Sequence, residues 1–256
     1  MKRTLTLLAI LAAIGPAWGA EVVSSNIVGY NKVTLSNTFT IIGSQFLNVG
    51  AETKDIQELL EANNDLVGLD ADHDYAVQTE LRVWTGTGYN TYGWDAEGDP
   101  EVAGSDHKWV VPGDLTIASF DIPVGSAVWI KTPAEKTVTL AGEVPSGDTQ
   151  EVSISAGFNL IANPFPVEMS IQSIQLDDTF PGLDADHDYA IRTELRVWTG
   201  TGYSTFGWDP EGDPEVAGSD HKWVTPGDLA ILDTKIPVGS GFWIKSEVSG
   251  TITFTK

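Results

Sequence analysis

LRVWTGTGYNTYGW at residues 81–94 decides the fold class, and LRVWTGTGYSTFGW at 195–208 repeats it. Leu81 to Trp84 reads as one strand, Thr85-Gly86-Thr87-Gly88 as a turn, and Tyr89 to Trp94 as the returning strand. Aromatic and β-branched residues around a glycine-bearing turn are the signature of a β-hairpin. Outward from it, VTLSNTFTIIGS (33–44), KWVVPGDLTI (108–117), VGSAVWIK (124–131) and KTVTL (136–140) read as further strands. Pro112-Gly113 and Pro123-Val124-Gly125 supply the breaks. The expectation is an all-β chain with about six or seven short strands per copy, spaced as in a sandwich or small barrel.

The repeat extends far beyond the hairpin. Gly68–Lys131 aligns without gaps to Gly182–Lys245 at an offset of 114, with 51 of 64 positions identical. Upstream, 33–42 matches 152–161 at an offset of 119, so copy one carries a longer insert. That insert holds ETKDIQELLEAN (52–63), where Ile56, Leu59 and Leu60 have helical spacing, and one short helix is expected there. Units of this length exceed the ~20–50 residues of solenoid repeats. They read as two tandem homologous β-sandwich or small β-barrel domains, at 20–142 and 143–256. GEVPSGDTQ (142–150) has the composition of a linker.

Residues 1–19 read as a secretory signal peptide. Lys2 and Arg3 precede an apolar stretch from Leu5 to Ile14, too short to span a bilayer, and Ala17 stands three residues before the cut after Gly19. Fourteen basic against 36 acidic residues give a formal charge of −22. Phosphate backbones and anionic membrane surfaces would repel such a chain, so neither nucleic acid nor membrane insertion is expected. Without cysteine there is no disulfide, thiolate metal site or cysteine nucleophile. Secretion or cell-surface localisation follows as the expectation.

NIVGYNKVTL (26–35), TVTLAGEVPSG (137–147), GFNLIANPFP (157–166), VWTGTGYSTF (197–206) and IPVGSGFWIK (236–245) together resemble a family of uncharacterised exported bacterial β-rich repeat proteins. The resemblance covers nearly the whole chain after the signal peptide. It implies export and a β domain, and no established reaction, so no catalytic residue is carried over. Copy one departs from the pattern at Ser44-Gln45, where copy two has Asn163-Pro164.

The sharpest chemical feature is GLDADHDYA at 68–76, repeated at 182–190. Asp70, Asp72 and Asp74 alternate, as do Asp184, Asp186 and Asp188, which in extended chain points three carboxylates one way. Calcium, with its 6–8 oxygen ligands, is the cation that suits them. A true EF-hand is not expected, because Tyr75 stands where that loop needs glycine. The second acidic stretch, WDAEGDPEVAGSDHKW at 94–109, is flanked by Trp94 and Trp109, which could pair across the stem. The competing reading of both stretches is a solvated acidic surface.

His73, His107, His187 and His221 each adjoin an aspartate, but neighbours in a strand point to opposite faces, so adjacency makes no dyad. Trp129, Trp243, Trp84 and Trp198 read as core. Trp94 and Trp208 at loop edges, with Tyr92 and Phe206 on the hairpins, read as candidate sugar-stacking residues. No catalytic motif stands out. The leading expectation is an exported non-catalytic structural or adhesion protein. Its partners would be itself, through strand edges, or an extracellular polysaccharide. The alternatives are a calcium-dependent carbohydrate-binding protein and an enzyme acting on extracellular polymers. Thermal unfolding of residues 20–256 checks the metal expectation: calcium at ~100 Kd should add ~2.7 kcal/mol, with magnesium and sodium chloride giving no matching rise.

Overall fold

The computed structural model describes residues 28–60, 65–69, 78–98, 104, 106–183, 191–212, 218 and 220–256. Among them the chain is all-β, and every strand pair is antiparallel. Copy one supplies β1 (Val28–Leu35), β2 (Thr40–Gly43), β3 (Thr53–Asp55), β4 (Glu80–Trp84), β5 (Tyr89–Asp95), β6 (Lys108–Val110), β7 (Asp121–Pro123), β8 (Ala127–Lys131) and β9 (Lys136–Glu143). Copy two supplies β10 (Thr149–Ile154), β11 (Gly157–Ala162), β12 (Met169–Ser170), β13 (Ile174–Gln175), β14 (Glu194–Trp198), β15 (Tyr203–Asp209), β16 (Lys222–Val224), β17 (Lys235–Ile236), β18 (Gly241–Ser246) and β19 (Gly250–Thr255).

The central hairpin forms as its sequence requires. Trp84 stands opposite Tyr89, and Gly86 takes φ +94°, a left-handed conformation that favours glycine. The Thr85 hydroxyl closes the loop onto the Gly88 carbonyl at 3.1 Å. The hairpin is the middle of an open five-stranded sheet in the order β2-β8-β4-β5-β6; its counterpart is β11-β18-β14-β15-β16. The inward face of the first sheet, with Ile42, Leu81, Trp109, Val128 and Ile130, packs on Leu35, Val138 and Leu140 of the β1–β9 ribbon. Copy two builds a separate core from Val152 to Phe254. The arrangement is layered sheets rather than one closed barrel.

The helix expected within 52–63 does not form as such. Thr53–Asp55 is strand β3, and Ile56–Glu58 makes a single 3-10 turn, while 61–64 lie outside the described residues. The apolar spacing is satisfied by that one turn and its end, since Ile56, Leu59 and Leu60 all reach the copy-one core. Copy two makes the same turn at Ile171–Ser173. Each turn presents a glutamine to the edge strand. Gln57 accepts from the Trp109 amide at 2.8 Å and donates to the Trp109 and Ala118 carbonyls. Gln172 repeats this with Trp223 and the Leu232 carbonyl. Backbone groups that a buried edge would leave unpaired are thereby satisfied.

The two five-stranded sheets meet on their outer faces. Ile41 and Ala127 of copy one pack on Leu160, Ala162 and Trp243 of copy two, with Trp84, Trp129, Phe158 and Trp198 around them. The contact has pseudo-two-fold symmetry. The Gly43 amide donates to the Gly239 carbonyl at 2.9 Å, and the Ala162 amide to the Gly125 carbonyl at 2.7 Å. The backbones approach so closely that a methyl group on Gly43 would lie 2.4 Å from the Ala162 Cβ. Gly43→Ala should therefore destabilise the protein by about 1–3 kcal/mol through overpacking. Ala162→Gly in the same chain should restore most of the loss, because the pair then merely exchanges its methyl; denaturant unfolding of the single and double variants checks this.

Candidate functional site

Two regions carry chemistry: the acidic end of each five-stranded sheet and the junction between the copies. At the acidic end, Asp70, Asp72, Asp74, Asp184, Asp186 and Asp188 lie outside the described residues, as do His73 and His187. The chain on either side of them is well anchored. The Leu69 amide donates to the Trp94 carbonyl at 2.7 Å, and the Leu183 amide to the Trp208 carbonyl at 2.8 Å. On the far side, the Thr79 hydroxyl donates to the Val67 carbonyl, and the Trp94 amide to the Thr79 carbonyl. Both acidic stretches thus spring from the same end of β5. There the buried Asp95 carboxylate caps the next turn, accepting from the Glu97 and Gly98 amides through Oδ1. Its counterpart Asp209 accepts from the Gly212 amide.

The aromatic residues expected at the loop edges are placed differently. Trp94 and Trp208 are 3% and 0% exposed, and Phe206 is buried with them. Tyr92 is half-buried against Phe120, with ring centroids 5.1 Å apart. None of the three buried rings is offered to solvent for stacking on a sugar. The reason is alternation. Trp94 is the last inward residue of β5 and stands opposite Trp109, ring to ring at 5.3 Å, so it completes the core before the acidic loop begins. Trp208 and Trp223 repeat the pair. Conversely, Trp84, Trp129 and Trp198 leave their domain cores for the outer face and are half-buried in the seam.

The two aspartate–histidine neighbours among the described residues do meet, against the strand-alternation argument. His107 and His221 precede their strands with left-handed φ of 56° and 55°, which swings each ring back toward the preceding aspartate. His107 Nδ1 lies 3.1 Å from Asp106, and His221 Nδ1 3.3 Å from Asp220. His221 Nε2 also reaches Asp178 at 2.7 Å. Asp178, then Asp220, hold the His221 pKa above its ordinary value. Among the described residues, no three of His, Cys, Asp and Glu are grouped so as to hold a metal.

At the junction, the tryptophans interlock across the pseudo-two-fold axis. Trp84 meets Trp243 edge-on at 5.2 Å, and Trp129 meets Trp198 at 6.4 Å. The symmetry is broken at one end, where the Trp84 indole donates to the Phe158 carbonyl at 2.7 Å. Beside that bond a cleft of about 340 Å³ opens between the copies. Its walls include Trp84, Phe120, Asp121, Ser153, Ser155 and Phe158. Sequence reasoning missed this cleft, because its walls come from segments distant along the chain. The one signal was that the two copies differ at Phe120 and Asp121, where copy two has Thr234 and Lys235.

Comparison with family models, with curated proteins and with solved structures finds no match for this chain.

A histidine held in its charged form by carboxylates stabilises the fold below its unfolded pKa of ~6.5, and that contribution is lost as pH rises through the higher folded value. In a proton NMR titration, His221 should titrate above ~6.5, and Asp178→Asn should lower its midpoint.

Proposed function

We propose that the chain is an exported, non-catalytic structural or adhesion protein of the cell surface or extracellular matrix. The observation that carries this reading is the seam. The two copies are joined by an apolar interface, backbone bridges and interlocked tryptophans into one body, the build of a scaffold that presents surfaces. The outer edge of β1, with Val28 and Tyr30 65% and 75% exposed, supports strand-edge contact with a further copy. Calcium is the ion proposed to neutralise Asp70, Asp72, Asp74, Asp184, Asp186 and Asp188. Support for it is the anchoring of both flanks of each stretch and the hard oxygen donors they carry. An isologous two-fold contact closes on itself, so any larger assembly would have to use the strand edges.

The test is association without turnover. Mature protein mixed with cell envelopes and insoluble polysaccharide should partition to the solid phase or sediment as assemblies. It should release neither reducing ends nor peptides. A strict monomer that stays in solution with every surface, or a preparation that degrades the polymer, overturns the reading.

A further inference from the structure

We infer that the cleft between the two copies is a binding site for a neutral saccharide, one per chain. The inference rests on the adhesion reading and supplies its ligand. The cleft volume of about 340 Å³ falls in the range of small-ligand sites, and its position between domains is where such sites concentrate.

The chemistry of the walls selects the ligand. Trp84, Phe120 and Phe158 supply aromatic surface for the apolar C–H face of a sugar ring. Ser153 on β10 and Ser155 just beyond its end are exposed and add hydroxyls. Asp121 is exposed, and its Oδ2 accepts from the Thr53 hydroxyl at 2.9 Å, which leaves Oδ1 to accept from a ligand hydroxyl. Among the described residues no lysine or arginine lines the cleft, Arg196 and Lys245 being engaged on the Phe158 ring, and the chain carries −22. Phosphates, sulfates and uronates would enter against this field and against the Asp121 carboxylate in the wall, with the nearest cations already packed on an aromatic ring. A neutral molecule with several hydroxyls and an apolar face fits each of these walls.

The internal repeat adds an independent observation. The copies differ at 13 of 64 aligned positions, and four of those, Phe120, Asp121, Ala127 and Val128, line this cleft. Copy two has Thr234, Lys235, Gly241 and Phe242 in their places. The Ala127–Gly241 difference belongs to the seam, where a methyl on Gly241 would lie 2.6 Å from the Ala127 Cβ. Val128 points into the copy-one core and Phe242 into that of copy two, so that difference belongs to core packing. The remaining two alter the cleft: the aromatic wall becomes a threonine and the carboxylate becomes an ammonium. The two-fold-related position therefore has different chemistry, and one ligand per chain follows.

The experiment is native affinity electrophoresis and calorimetry of the mature protein. The probes are neutral glucans, mannans and their oligosaccharides, with polygalacturonate as the anionic arm and a polyamine glycan as the cationic arm. Phe120→Thr and Asp121→Lys install residues that copy two already carries at the matching positions, so both should fold; circular dichroism checks this. The expected result is binding of one neutral oligosaccharide per chain, weakened at least tenfold by either substitution, with Tyr203→Ala leaving it unchanged. Neutral-glycan binding that survives the Phe120→Thr, Asp121→Lys double variant overturns the site and leaves the adhesion reading standing. Binding only to the anionic or only to the cationic glycan overturns the ligand class. Absence of any glycan binding overturns the inference. The adhesion reading then stands or falls on cell-envelope partition alone.

Discussion

Everything else in the molecule is arranged around the approach of two backbones at the pseudo-two-fold axis. At Gly43–Ala162 and at Gly241–Ala127, each glycine lies against an alanine from the other copy, and a second methyl in either pair would come within 2.6 Å of the first. That asymmetry is forced. In an exchange of identical copies both members would be the same residue, and neither two alanines nor two glycines would pack as well. The close approach lets the Gly43 and Ala162 amides bridge to the other copy, and it brings four tryptophans edge to face around the bridges. Edge-to-face aromatic pairs add ~0.5–1.5 kcal/mol each beyond their burial.

The seam also decides where charge can go. Both faces of the central strands are covered, so the basic residues of the outer face sit at its rim. Arg82 lies over Phe39 at 4.3 Å and Arg196 over Phe158 at 5.2 Å, each also paired with the buried carboxylate two residues earlier, Glu80 or Glu194. Lys131 and Lys245 flank the same two rings. The acidic stretches are displaced to the far end of β5 and β15, where Asp95 and Asp209 turn the chain away from the core. The cations of the outer face thus pack on aromatic rings of their own copy at its rim, while the described ends of the acidic stretches are anchored at the opposite end of the sheet.

How much of this was legible from sequence follows from which forces are local. The hairpin at 81–94 and its register come from nearest neighbours and one glycine, and the sequence suffices for them. The unbroken apolar run Ala127-Val128-Trp129-Ile130 also carried a signal, since a strand apolar on both faces is covered on both. Trp129 and Trp243 were expected inside their own domains, and Trp94 and Trp208 at the surface. The true placement depends on which face of each sheet meets the other copy, a fact that no local spacing encodes. The helical spacing of Ile56, Leu59 and Leu60 misled for a related reason: one capped turn already buries all three, and Gln57 is drawn into the edge strand.

The repeat explains why the candidate cleft escaped a reading of either copy alone. Copies with 51 of 64 positions identical build matching frameworks, and a symmetric framework offers two equivalent clefts. Symmetry is broken where the Trp84 indole reaches the Phe158 carbonyl, and by substitutions that a fused tandem can accept one copy at a time. In a dimer of identical chains, Phe120→Thr or Asp121→Lys would change both clefts together. Fusion removes that constraint, so one copy can keep an aromatic, carboxylate-bearing wall while its twin carries threonine and lysine. The divergence at 120 and 121 is then the local consequence of placing a single site on a two-fold scaffold.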